Sequence, residues 1–96
     1  MNEYFTELGR RWVAAAAARG VKIEPPALGS TTADELLQLA GVVAHGSERR
    51  FAPLSTFLAG IAWERVRIAK GEAGDAEAAS YIAAVRVGLE NRSAPE

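Results

Sequence analysis

The polar residues between positions 44 and 60 are the part of this sequence with groups suited to chemistry. His45 is the only histidine, and histidine is the side chain that exchanges protons near neutral pH. Hydroxyl groups follow at Ser55 and Thr56 and a carboxylate lies at Glu48, so a serine, histidine and acid set can be written from this segment. That pattern is weak because no Gly-x-Ser-x-Gly turn accompanies it. We therefore predict no catalytic residue and expect a protein that is not an enzyme.

A structural role is the stronger interpretation of His45. The residue falls in the last turn of a predicted helix, where the helix dipole favours a histidine that donates to free carbonyl groups. A hydrogen bond to Ser55 or Thr56 would also tie that helix to the next one. His45 is kept as a candidate ligand- or partner-binding residue beside this role.

Two arginines make the same segment a candidate anion site. Arg49 and Arg50 precede a helix that Pro53 is expected to begin, because proline suits the first helical position. Free amides at such a helix start, with the hydroxyls of Ser55 and Thr56 in the first turn, can hold a phosphate or a carboxylate. The alternative is that the arginines pair with a nearby carboxylate or are solvated. The candidate ligand- or partner-binding residues are His45, Arg49, Arg50, Ser55, Thr56 and Trp63.

Composition argues against several kinds of site and partner. The chain has no cysteine, which excludes disulfides, thiolate metal sites and a cysteine nucleophile. A single histidine with scattered carboxylates gives no metal-ligand spacing, so no metal or other cofactor is expected. The net charge is −1, whereas nucleic-acid-binding domains usually show a basic excess. No apolar run approaches the ~20 residues that span a bilayer, and we expect a cytoplasmic protein.

Four predicted helices must position these residues, within one domain that covers residues 1–96. Alanine is frequent and favours helix, and short loops between helices favour antiparallel neighbours. We therefore predict an all-α, four-helix bundle-like domain with a frayed tail from about residue 91. The predicted helices cover residues 3–19, 33–45, 53–70 and 76–90.

Local signals predict how these helices begin and which faces form the core. Thr32 and Glu35 form a capping-box pattern at the second helix, and Asp75 is expected to cap the fourth. Trp63 lies opposite the main apolar face of the third helix, so we expect that helix to pack on two sides; the alternative is a contact with a partner. The predicted core consists of Phe5, Leu8, Trp12, Leu36, Leu37, Ala40, Val43, Leu54, Phe57, Leu58, Ile61, Ile82, Val85 and Leu89.

Two segments in the middle of the chain resemble a known family. Residues 36–49 read LLQLAGVVAHGSER and residues 52–60 read APLSTFLAG. They are similar to a small actinobacterial, all-helical family of uncharacterised function, whose members carry L-L-x-L-A-x-x-V-A-H, then an arginine, then A-P-L-T/S-x-x-L-x-G. Members occur alone or fused to a molybdenum-cofactor guanylyltransferase. This chain departs at Arg50, where the family more often has proline.

The resemblance implies an all-helical domain and a link to the synthesis of molybdopterin guanine dinucleotide. It supplies no catalytic residue. We expect a non-enzymatic accessory or interaction domain, and the alternative is a DNA-binding transcriptional regulator. The roughly seven-residue loop between the second and third helices is longer than the turn of a helix-turn-helix motif. The expected partners are a protein, with the guanylyltransferase as candidate, an anionic small molecule, and a second copy of the chain in a homodimer; neither nucleic acid nor a membrane is expected.

Overall fold

The computed structural model describes residues 3–71 and 74–93, and this part of the chain contains helices and no strand. The helices are α1 (Glu3–Ala18), α2 (Ser30–Gly46), α3 (Phe51–Lys70) and α4 (Asp75–Ser93). The prediction of an all-α, four-helix domain is confirmed. Both α2 and α3 begin earlier than predicted. Helix α4 extends to Ser93, beyond the predicted end at residue 90. The last three residues lie outside the described part of the chain, and the frayed tail stays a prediction.

Helices α2, α3 and α4 form the packed part of the fold. α2 has its larger interface with α4 and a smaller one with α3, while the contact between α3 and α4 is small. The least exposed apolar side chains lie on α2 and α4: Leu39, Ala78, Ala79 and Ile82, each 4–5% exposed. Because two of these are alanines, the core is thin, and no large side chain of the described residues is completely buried.

Helix α3 packs with its small side chains inward. Ser55, Ala59 and Trp63 are half-buried, whereas Leu54 and Phe57 on the opposite side are 64% and 72% exposed. The predicted core is therefore wrong for this helix. Small side chains allow α2 to approach closely, and that leaves the large ones pointing outward. The same correction applies to the other predicted core residues that are exposed: Phe5, Trp12, Leu37, Leu58, Ile61 and Val85.

Helix α1 stands apart from the other three. No Cα atom of α1 lies within 8 Å of a Cα atom of the described parts of α2, α3 or α4. It lies instead against the connector to α2, where a Cβ atom placed on Gly9 would be 3.1 Å from the carbonyl oxygen of Pro26. The result is an elongated molecule of 52 × 30 × 24 Å with a radius of gyration of 15.0 Å, against about 12–13 Å for a compact chain of this length.

None of the helices in the described ranges is both long enough and apolar enough to cross a lipid bilayer.

Candidate functional site

The predicted junction between α2 and α3 is not tied together through His45. His45 is exposed in the last turn of α2, and no hydrogen bond or ion pair joins its side chain to another described residue. The Ser55 hydroxyl donates to the carbonyl oxygen of Ala52 at 2.6 Å, and the Thr56 hydroxyl donates to that of Pro53 at 2.9 Å. Both hydroxyls are thus engaged by the backbone of their own helix, and the expected link to His45 is not formed.

The start of α3 also lacks the free amides that the anion site requires. The helix begins at Phe51 rather than Pro53. The amide of Phe51 donates to the carbonyl oxygen of Glu48 at 3.0 Å, and that of Ala52 donates to Arg49 at 3.1 Å. Pro53 has no amide hydrogen. A turn that precedes the helix therefore occupies the first two amides of α3, whereas the anion was expected at the amides after Pro53.

The two arginines are on the surface, and one of them is paired. Arg50 Nε donates to Glu48 Oε1 at 2.8 Å, and the Arg50 guanidinium lies 5.6 Å from the centre of the Phe51 ring. Arg49 is exposed and forms no ion pair within the described ranges. The pairing of Glu48 with an arginine is the alternative weighed above, and a pair this exposed contributes little to stability.

No serine, histidine and acid set is assembled at this junction. Glu48 is paired with Arg50 and Ser55 donates to its own helix, so no hydrogen bond connects them to His45. In residues 3–71 and 74–93 there is also no group of three histidine or carboxylate side chains placed to hold a metal ion. The proposed binding roles of the six candidate residues stay predictions.

Trp63 packs within the chain, as predicted. Its ring lies 5.9 Å from the ring of Tyr81, with the planes tilted by 41°, and this pair joins α3 to α4. Trp63 also borders an open cleft of about 350 Å³ between the three packed helices, together with Leu36 and Ile82. Its role toward a partner remains a prediction.

The strongest polar contact between helices involves Asp75, which was expected to cap only its own helix. Its carboxylate accepts from the Thr31 amide at 3.0 Å, the Thr32 amide at 2.8 Å and the Thr32 hydroxyl at 2.6 Å. Asp75 therefore caps α2 from the start of α4, and the predicted capping box is wrong. These bonds lower the pKa of Asp75, the Thr32 hydroxyl contributing most and the Thr32 amide next. Glycine is required at position 29, where a Cβ atom would overlap the Asp75 carboxyl group.

Glu35 makes a second contact between α2 and α4 instead of bonding back to Thr32. Arg86 Nε donates to Glu35 Oε1 at 2.9 Å, and Arg86 Nη1 donates to the Glu90 carboxylate at 3.1 Å. The Arg86 and Glu35 side chains are only 15% and 18% exposed. The hydrogen bond that Arg86 donates to Glu35 is the main cause that raises the pKa of Arg86. Sequence analysis missed this pair because its members lie far apart in the chain and share no motif.

Two apolar surfaces remain exposed, and they are the most unusual feature of the molecule. We call the first the α3 outer face, which consists of Leu54, Phe57, Leu58, Ile61 and Ile68. We call the second the α1 groove, an open cavity of about 560 Å³ between α1 and the connector. Its apolar walls are formed by Phe5, Leu8, Trp12, Pro26 and Leu28. Monomeric soluble proteins rarely expose apolar patches larger than a few hundred Å², so these surfaces are the better candidate for a functional site.

Comparisons with known proteins identify the family of this chain and do not assign it an activity, a ligand or a partner. Neither the search of curated proteins nor the search of solved structures returned a match. The expected resemblance to a family of uncharacterised function is confirmed at that level by a family model that covers nearly the whole chain. The chain belongs to the family described as Domain of unknown function (DUF6457), whose model matches residues 6–96.

Proposed function

We propose that this chain is a non-enzymatic interaction domain that presents the α3 outer face to a helix or groove of a protein partner. The observation that carries the proposal is the exposure of this face on a helix whose opposite side is already packed. Its members recur at helical spacing, which is the arrangement that helix-in-groove recognition uses. Binding would remove this apolar area from water at a gain of about 25 cal/mol per Å².

The polar contacts between α2 and α4 support this proposal because they hold these two helices together. Asp75 is bonded to the start of α2, and Arg86 is bonded to Glu35 and Glu90. A carboxylate engaged by three donors is a poor general base, since its bonds favour the charged form and lower its proton affinity. The binding energy must then come mainly from apolar contact.

The resemblance to a family found fused to a molybdenum-cofactor guanylyltransferase supplies the candidate partner. Domains that occur in one polypeptide commonly contact one another, and we propose that this chain binds the guanylyltransferase of the same cell. This part of the proposal rests on association, since function belongs to sites rather than to folds. An anionic small molecule is less well supported, because the amides of Phe51 and Ala52 are occupied.

Calorimetric titration of the full chain into the purified guanylyltransferase tests both parts. We expect binding that Phe57→Ser weakens by at least about 10-fold, as expected for a central apolar contact. Leu37→Ser is the matched control, because Leu37 is as exposed as Phe57 but lies on α2. If the native chain does not bind, this partner is rejected. If Phe57→Ser and Leu37→Ser lose affinity equally, the α3 outer face is rejected as the binding surface. A second titration uses random duplex DNA in place of the guanylyltransferase. Salt-dependent binding to this DNA would favour the alternative of a DNA-binding transcriptional regulator.

A further inference from the structure

The α3 outer face and the α1 groove belong to one chain, but they do not meet within it. We propose that a second copy of the chain covers both, so that the α3 outer face of each copy packs into the α1 groove of the other. The two contacts are then related by a twofold axis, and the assembly closes as a dimer. This inference rests on the proposed function, because it names the occupant of the same docking surface in the free protein.

The spacing of the apolar side chains on the two helices matches. From Leu54 to Ile68, the apolar side chains of α3 recur in steps of four, three and seven residues, with Phe57 beside this row. On α1 they recur in steps of three and four from Phe5 to Trp12. Alternating steps of three and four place side chains along the seam of a packed helix pair. The helices contain 16 and 20 residues, or about 24 and 30 Å at 1.5 Å per residue, so α1 fits along α3.

The area available is that of a stable interface. Seven large apolar side chains of the two surfaces are between 36% and 72% exposed. An aromatic side chain offers about 150–250 Å² when fully exposed; with the leucines and isoleucines taken at the lower end of that range, the seven present roughly 600–770 Å² per chain. Specific protein interfaces bury about 800 Å² per partner. Because every copy contributes both surfaces, a single pair of chains covers all of this area.

The connector between α1 and α2 explains why the contact forms between copies rather than within one. It contains Pro25 and Pro26 and forms neither helix nor strand, and prolines stiffen such a link. Gly9 of α1 lies against the Pro26 carbonyl group, so α1 is held to the connector and away from α3 of its own chain.

Self-association of this form makes partner binding a competition. The guanylyltransferase and the second copy would use the same α3 outer face, so one excludes the other. At concentrations where the dimer forms, the apparent Kd for the partner would therefore rise in inverse proportion to the fraction of chain that stays monomeric.

Sedimentation equilibrium of the full chain between 1 and about 200 µM tests the inference over the range of typical weak to moderate affinities. We expect a rise in mass from 10.2 kDa to twice that value. Phe57→Ser and Trp12→Ser should each weaken the dimer by at least about 10-fold, and Leu37→Ser should leave it unchanged. Far-UV circular dichroism of each variant shows whether its helices are retained.

Charged variants identify which surfaces meet. Phe57→Lys and Trp12→Asp should each be monomeric, while their equimolar mixture should recover a dimer, since one α1–α3 contact of the mixed pair is unaltered. A dimer that only Phe57→Lys disrupts would show that α3 packs on α3, and one that only Trp12→Asp disrupts would show that α1 packs on α1; both results overturn the inference. A native chain that stays monomeric at 200 µM also overturns the inference, even if it binds the guanylyltransferase. Conversely, a dimer without guanylyltransferase binding would reject the proposed partner alone.

Discussion

At the scale of single residues, Asp75 performs the capping role that the sequence assigned to Thr32 and Glu35. A carboxylate from α4 bonds the first-turn amides of α2, so Thr32 donates to it instead of capping its own helix. Glu35 is thereby free to pair with Arg86. The local pattern S/T-x-x-E was present, but a charged acceptor from another helix is the stronger partner for unpaired amides.

The Asp75 contact predicts acid sensitivity. Folding lowers the pKa of this carboxyl group because its charged form accepts the bonds, so its contribution to stability is present above the ordinary value of about 3.9 and is lost as the pH falls through the lower folded value. We expect the melting temperature to fall below about pH 4, and Asp75→Asn to flatten that decline. Thermal melts followed by circular dichroism from pH 7 to pH 2 would measure this.

Two carboxylates provide the comparison for that experiment. Asp34 is exposed and makes no hydrogen bond or ion pair with another described residue, so Asp34→Asn should leave the pH profile unchanged. Glu64 is bonded to Arg67, which lowers the pKa of Glu64. The loss of stability that follows protonation of Glu64 should therefore persist in the Asp75→Asn variant. Identical profiles for Asp75→Asn and the native chain would show that the cap does not depend on charge.

At the scale of elements, α3 carries two different surfaces on opposite sides. The larger apolar stripe was expected inside because of its hydrophobicity, yet the alanine and hydroxyl side packs against α2 and the Trp63 ring contacts Tyr81. Periodicity locates a stripe on a helix, but it does not specify what covers the stripe. The choice depends on how closely two helices approach, and small side chains allow the closer approach.

Truncating one side chain on each side of α3 tests this assignment. Trp63→Ala should lower the free energy of unfolding by about 2 kcal/mol, roughly half of what a fully buried tryptophan costs. Phe57→Ala should cost less than about 0.5 kcal/mol in monomer, as for other surface positions. Urea titrations at 1 µM protein, with the mass checked at the same concentration, would give both values. Equal costs would mean that Phe57 is buried within its own chain.

At the scale of the whole molecule, the chain is elongated and its core is thin. In the described part of the chain, the four well-buried apolar residues lie on α2 and α4, while α1 lies apart. Small domains have little stability to spare, and anything that binds the folded form adds to it by mass action. An interaction domain of this kind would therefore gain stability from its partner or from a second copy.

The shape of the free chain is open to a direct measurement. Small-angle X-ray scattering of the monomeric Phe57→Lys variant should give a radius of gyration near the 15.0 Å of the elongated form. Docking of α1 onto α3 of the same chain would reduce it toward about 12–13 Å. That lower value would contradict the separation of α1 from the packed helices. Trp12→Asp offers a second monomer in which the same docking is disfavoured.

The sequence by itself determined the helical class and the approximate helix ranges. The glycines that follow α1 and α3, Gly20 and Gly71, have positive φ angles of 78° and 72°. These features depend on neighbours within a few residues, where propensity and turn chemistry act. Only the tertiary structure decided that Asp75 caps α2, that Arg86 pairs with Glu35, and that the large apolar side of α3 faces outward. The first two outcomes join residues more than 40 positions apart, and the third depends on which helix covers α3; all three follow from packing rather than from any local pattern.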